Sequence, residues 1–347
     1  MPAKRFCTLF LGITTAAFVG IAMLNFLVDP YAQYSPEMLR PLVQTSRAEK
    51  VALFHNLPEP PEGLILGSSR VLKFEPDYLH EKTGLRFFNA GVNYAKSEDH
   101  LALVRYFENQ DHVRPRMIVL GLDLSSFSDG NPIDARLLSD PCLSPQLRDV
   151  VPLEQRVHRW KELLSWQQTK NSIKSLKLAV TQSYPQQDAE SFRPDGLLVY
   201  HEREAQLSQG TYDFNAALAY NRNEYQQLYQ GFDRLSLSRC ERFERLAEHC
   251  RQQQITLYVF LTPMHPDLLE YIRDCSTFDQ RRTQMVRYLE IAAGRYGYSF
   301  VDFSDIRSFQ GSPELFVDGI HPLEPNTRRM IDILVQTGPK KHQYAVQ

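Results

Sequence analysis

The stretch from Phe6 to Val28 contains no Asp, Glu, Lys or Arg, and no other property of the chain restricts its folding so sharply. As a helix rising about 1.5 Å per residue it is long enough to cross a hydrocarbon core of about 30 Å. Lys4 and Arg5 precede it and Asp29-Pro30 ends it. The positive-inside rule then makes residues 1–5 a cytoplasmic tail, residues 6–28 a transmembrane anchor, and everything after Asp29 extracytoplasmic. That describes a single-pass protein of a bacterial inner membrane with its large domain on the periplasmic side. A cleaved signal peptide is the rival. Its apolar region would span about 7–15 residues and end in a small-x-small site, whereas this run continues through Leu24-Asn25-Phe26-Leu27-Val28. A buried core helix would carry a polar face, and this stretch has none.

The rest of the 347 residues is of ordinary globular composition, with 39 Lys+Arg nearly balancing 41 Asp+Glu. A mean hydropathy of -0.38 excludes a polytopic transporter, and the absence of a basic block argues against a nucleic-acid partner. Of the five cysteines, Cys7 lies in the span, leaving Cys142, Cys240, Cys250 and Cys275 in a compartment where disulfides persist. On one helix Cys240 and Cys250 would be about 15 Å apart, too far to bridge. A Cys250–Cys275 pair and four free thiols both remain compatible with the sequence. No Cys/His ligand spacing suggests zinc, and nothing indicates a metal or other cofactor.

Prolines 36, 41, 58, 60 and 61 mark residues 29–62 as a stalk around a short helix from about Thr45 to Phe54. A strand–helix rhythm follows. Gly63-Leu64-Ile65-Leu66-Gly67, Leu85–Asn89, Met117–Gly121, Ile255–Leu261 and Tyr298–Phe303 read as strands. Ser97–Asn109, Arg281–Gly294 and Asn326–Val335 read as helices, and the spacing from Tyr225 to Leu235 predicts one long helix continuing towards Cys250. Residues 128–211 break the rhythm. Their Trp160, Leu163, Leu164, Ile173, Leu176 and Val180 at helical spacing predict a helical insertion, which we expect to cover the site. Trp160 and Trp166 are read as core residues, with stacking on sugar rings as the alternative. The domain thus spans 63–337, with 338–347 a C-terminal tail.

Strands alternating with helices imply an α/β fold with a central parallel sheet, whose ligands gather at the carboxyl ends of the strands. The residues there are Gly67-Ser68-Ser69-Arg70, Asn89-Ala90-Gly91-Val92-Asn93, Gly121-Leu122-Asp123 and Thr262-Pro263-Met264-His265, with Asp318-Gly319-Ile320-His321 before the last helix. A serine is a competent nucleophile only beside a base that a third group orients. Asp318 and His321, three apart in a turn, can place a carboxylate on one imidazole nitrogen while the other faces Ser69. Backbone N–H groups after Gly67 can receive an oxyanion. Taken alone, Ser68-Ser69 reads more readily as a helix N-cap and Asp318 as a turn residue, and only together do they point to catalysis.

These blocks resemble the SGNH or GDSL-type hydrolases. Gly67-Ser68-Ser69 is similar to the family's Gly-Asp-Ser, and Asp318-Gly319-Ile320-His321 to its Asp-x-x-His. The resemblance implies a three-layer, flavodoxin-like domain with Ser69, Asp318 and His321 as catalytic residues. It also implies an oxyanion hole drawn from Ser69, Gly91, Asn93 and Asp123. The third block departs from the pattern: where the family has the asparagine of Gly-x-Asn, this chain has Asp123, and an ionised carboxylate only accepts hydrogen bonds. Either Asp123 is protonated, or Asn93 donates instead, or Asp123 has a structural role. Arg70 is a candidate for an anionic or carbonyl group of substrate, with a salt bridge as the alternative, and His265 is a candidate to line the site, with a satisfied loop histidine as the alternative.

With its anchor, the chain looks like the membrane-attached branch that includes the D-alanyl transfer protein of teichoic acid synthesis and exopolysaccharide O-acetylation proteins. The resemblance implies an esterase or acyltransferase working on acyl groups of a surface or exported polysaccharide, with a polytopic membrane acyltransferase as a possible partner. Two alternatives are a non-catalytic carbohydrate-binding or scaffold protein and a small-ester esterase or lipase.

Overall fold

The computed structural model describes residues 2–34, 38–42, 46–111, 113–183 and 190–338. Its chain divides into two compact units, one of residues 1–45 with 133–187 and one of 46–132 with 188–347.

The second unit is built on five parallel strands: β1 (Gly63–Leu66), β2 (Phe87–Asn89), β3 (Met117–Leu122), β6 (Thr256–Leu261) and β7 (Ser299–Asp302). A separate antiparallel hairpin supplies β4 (Glu190–Phe192) and β5 (Leu198–Tyr200). The sheet order is β2-β1-β3-β6-β7. Registers such as Leu64↔Ile118, Val119↔Tyr258 and Phe260↔Val301 run through it. Counting only the sheet's own strands this is 2-1-3-4-5, the doubly wound order of flavodoxin, in which the chain reverses direction between the first and third strands.

Apolar runs such as Leu64-Ile65-Leu66 and Ile118-Val119-Leu120 are buried completely or nearly so, as strands covered on both faces must be. Ile65, Val119 and Phe260 pack with Val71, Phe74, Phe303, Met330 and Leu334 in one core cluster. Edge strand β2 is met at its end by the hairpin, for Asn89 N–H donates to Asp195 C=O at 2.8 Å. Buried Lys50 donates to Asn89 C=O at 2.8 Å and to Gly196 C=O. Its ammonium lies 4.0 Å from the Phe192 ring centroid, and burial holds its pKa well below the ordinary lysine value.

Three expectations change. The stalk does not extend to residue 62: Lys50, Val51 and Phe54 of the Arg47–His55 helix are buried in the sheet unit, and Arg47 pairs with Asp99 at 2.8 Å. Residues 128–211 are not one helical insertion, since 133–187 group with the N-terminal segment while the β4/β5 hairpin belongs with the sheet. The expected long helix after Tyr225 is two, Phe214–Gln230 and Leu237–Gln252. The break is at Gly231, where Phe232 turns inward and its carbonyl accepts from Arg281 Nε at 3.1 Å. Of the two cysteine arrangements left open, the structure has the free thiols, and burial pushes Cys240 up to about 11 and Cys250 to about 12.

The first unit begins with the Pro2–Val28 helix, long and apolar enough to cross a membrane. Phe6, Leu9, Phe10, Leu11 and Ile13 stand exposed along it. The helix stops at Asp29, whose carboxylate accepts from Gln33 N–H at 2.7 Å and Tyr34 N–H at 2.8 Å. Neither tryptophan is a core residue: Trp160 stacks on Phe26 and lies tilted against Tyr34 while staying 45% exposed, and Trp166 is 77% exposed. The C-terminal tail expected from residue 338 lies, beyond Gly338, outside the described residues.

Candidate active site

The reversal point of the sheet puts the ends of β1 and β3 side by side, and β1 delivers the serines. Gly67 makes the exit turn at φ +152°, a backbone angle that L residues rarely adopt. A methyl group there would meet Val71 Cγ1 at 2.7 Å and Gly121 C=O at 2.8 Å. The two serines then divide their tasks. Ser68 caps the Ser69–Val71 turn, its hydroxyl accepting from Arg70 N–H at 3.3 Å. Ser69 Oγ lies 2.8 Å from His321 Nε2.

The Asp318–His321 loop is held from three sides. Asp318 Oδ2 lies 2.7 Å from His321 Nδ1, while Oδ1 accepts from the N–H groups of Ile320 at 2.8 Å and His321 at 3.0 Å. Gly319 N–H donates to Asn221 Oδ1 at 2.8 Å, and Gly319 C=O accepts from His265 N–H at 2.9 Å. Burial raises the Asp318 carboxyl's pKa. The facing His321 and the two backbone donors outweigh it, so the group stands below its ordinary value and stays ionised. A carboxylate fixed on one imidazole nitrogen and a hydroxyl on the other is the geometry by which a serine proton can be removed.

The other expected site residues are turned inward. Asn89 uses its whole side chain as a clasp, donating to Val71 C=O at 2.8 Å and Phe74 C=O at 3.0 Å and accepting Gly91 N–H at 3.0 Å. Asn93 N–H goes to Ser46 Oγ at 2.9 Å. The backbone donor of Gly91, expected to face an oxyanion, is therefore already taken, and the backbone N–H of Asn93 is engaged as well. Asp123 Oδ1 accepts from Thr262 Oγ1 at 2.7 Å and lies 3.6 Å from Arg70 Nε, so of the roles open to it the structural one is occupied.

Arg70, expected to meet substrate, is 2% exposed and donates to Thr262 Oγ1 at 3.0 Å, its guanidinium 5.1 Å from the Tyr225 ring centroid. Burial opposes its charge, but Tyr225 and Asp123 outweigh burial and keep it protonated. His265 is buried as the N-cap of the Pro266–Cys275 helix, accepting Asp267 N–H at 3.2 Å, and burial lowers its pKa. It supports the Asp318–His321 loop. Ser69 N–H meets no acceptor among the described residues.

Three residues missed in the sequence complete the surroundings: Asn221, Glu224 and Tyr225, all on the Phe214–Gln230 helix. Glu224 feels His321, Arg70 and Asp318. Burial raises its carboxyl's pKa, His321 and Arg70 pull it down, and the net shift is upward. Their i, i+3, i+4 spacing, polar groups on one face of an otherwise core-facing helix, was the available signal. No cluster of His, Cys, Asp or Glu suited to a metal occurs among the described residues.

No protein-family model matches the chain, and no curated protein does. Among solved structures, one that resembles it is a Bacteroides fragilis protein described as a proposed acylhydrolase. The match covers 84% of this chain and 92% of that one, at 12% identity and a TM-score of 0.35. A likeness that distant does not bear on activity.

Proposed function

We propose that this chain is a membrane-anchored serine acyl-transfer enzyme of SGNH type, acting on acyl groups, O-acetyl above all, of a cell-surface or exported polysaccharide. The observation that carries it is the continuous chain Ser69 Oγ, His321, Asp318 at 2.8 and 2.7 Å. Ser69 Oγ attacks the ester carbonyl as its proton passes to His321 Nε2, and Asp318 holds the resulting imidazolium. The oxyanion faces Ser69 N–H. Collapse of the tetrahedral intermediate expels the alcohol, which takes the proton from His321 and leaves an acyl-serine. His321 then deprotonates either water or a sugar hydroxyl, whichever is held against the acyl-enzyme. The apolar span and the resemblance of the first and last blocks support an inner-membrane location, a periplasmic site, and a polytopic membrane acyltransferase as donor.

A second reading, a carbohydrate-binding protein that keeps the fold without catalysis, is favoured by the engaged backbone donor of Gly91 and by the Asp123–Arg70 pair. A fluorophosphonate probe on the full-length chain separates the two. Labelling that disappears in Ser69→Ala, with release of acetate from an O-acetylated polysaccharide, supports the enzyme. A wild type that neither labels nor releases acetate is the binding protein.

A further inference from the structure

Outside the span, more of the large exposed hydrophobic side chains fall between residues 153 and 180 than in all the rest of the described chain. Three of them, Trp166, Ile173 and Val180, are 77%, 56% and 83% exposed on the Trp166–Thr181 helix. Seven residues is close to two helical turns, so they form one stripe, drifting only about 20° per step. Lys170, Lys174 and Lys177 stand exposed along one flank of that stripe. From residue 163 to 183 the chain has no Asp or Glu. The opposite face is small and polar: Gln168, Ser172 and Ser175 are buried.

That buried face belongs to a helix that starts where the span stops. Asn25, in the last turn of the Pro2–Val28 helix, is fully buried and donates to Leu163 C=O at 2.8 Å and to Thr169 Oγ1 at 2.9 Å. Phe26 stacks on Trp160 at 6.3 Å between centroids, and Asn171 donates to the Tyr31 hydroxyl. The helix that carries the exposed stripe is thus fastened to the last turn of the span, at the level where the chain leaves the hydrocarbon.

We infer that the Trp166–Thr181 helix lies in the membrane interface, with Trp166, Ile173 and Val180 among the upper acyl chains and the three lysines reaching anionic headgroups. An apolar stripe with lysines beside it and no acidic residue suits a lipid surface. Such helices bury their apolar face about 5–10 Å into the headgroup boundary, and long lysine stems reach back to the phosphates. This rests on the Pro2–Val28 helix being a membrane span. The span and the second helix form a two-point attachment that fixes the tilt of this unit on the bilayer.

The chain's two tryptophans make the test direct, because Trp160→Phe leaves Trp166 as sole reporter. The full-length variant is reconstituted in nanodiscs of phosphatidylcholine with phosphatidylglycerol. We expect a blue-shifted emission that loses about half its intensity when the acyl chains are brominated near their upper ends. The loss should shrink in phosphatidylcholine alone and in Ile173→Lys/Val180→Lys. Emission quenched by aqueous acrylamide but not by bromolipid overturns the inference, as does protection from both quenchers, which a protein partner or second copy would give. Alkaline-carbonate washing of cell membranes keeps the two failures apart: release of the chain sinks the span, while retention with a water-exposed Trp166 sinks only the interfacial helix.

Discussion

Where β1 ends, the polar groups form a route for a proton: Ser69 faces His321, and His321 faces Asp318. Where β2 and β3 end, equally polar groups are consumed inside the protein, with Asn89 clasping the Ser69 turn and Asp123 tied to Thr262 and Arg70. Both regions lie at the carboxyl edge of one sheet, and both suggest chemistry when read as short motifs. The difference is in what remains to meet a ligand. Among the described residues the first keeps the unengaged N–H of Ser69 and a half-buried hydroxyl, whereas the second has committed the backbone donors of Gly91 and Asn93. A hydroxyl, an imidazole and a carboxylate can therefore stand in line at a sheet edge with fewer free backbone donors beside them than the motifs advertise.

The largest effect should come from the relay. Asp318→Asn is expected to lower acetate release about 10⁴-fold with the fold retained, since it leaves the imidazole in the wrong tautomer. A loss under tenfold would remove the contrast between the two regions. Next, Gly67→Ala pushes a methyl against Val71 and the Gly121 carbonyl, at a φ that alanine rarely adopts. It should cut fluorophosphonate labelling more than Gly91→Ala, where the added methyl meets Val71 Cγ2 at 2.8 Å but no backbone carbonyl.

Asp123→Asn probes the second region. It strands a buried guanidinium, so urea denaturation should show a loss of about 3 kcal/mol, and replacing both members of the pair by apolar residues should cost less than replacing one. Faster turnover per folded molecule in Asp123→Asn would instead mean that an amide there completes an oxyanion hole.

The smallest effects concern two carboxylates of opposite sign. Asp318 has a lowered folded pKa, so its ionisation stabilises the fold above the unfolded aspartate value of about 3.9, and this is lost as pH falls through the folded value. Glu224 has a raised folded pKa, so its ionisation destabilises the fold, fully so above the folded value and not at all below the unfolded value of about 4.3. Thermal melts at neutral pH should therefore show Asp318→Asn lower and Glu224→Gln higher than wild type, with both differences fading in acid. A Glu224→Gln melt below wild type at neutral pH would contradict its placement beside Asp318.

β1, β3 and β6 were legible as apolar runs because strands buried on both faces leave that trace, and the serine and Asp-x-x-His blocks were legible because each is local. The Arg70–Asp123–Thr262 network was not. Its members are separated by 139 and 192 residues along the chain, and only the sheet's register brings them together. The break at Gly231 was hidden by apolar residues that continue the helical spacing across it. Lys50 read as a polar helix residue, since nothing local says that Asn89 and Gly196 will offer it two carbonyls.

The contact between Ser69 and His321 closes a loop of 252 residues, the longest reach of any pair at the site. With the amino terminus kept in the cytoplasm and the chain after Asp29 translocated from its amino-terminal side, as proposed, Ser69 would be outside long before His321, and a partly exported chain would hold the serine without its base. The last helix and the loop before it would thus act as a timer, arming the serine only once the whole chain has arrived and the slow, non-local pairings of the sheet are in place.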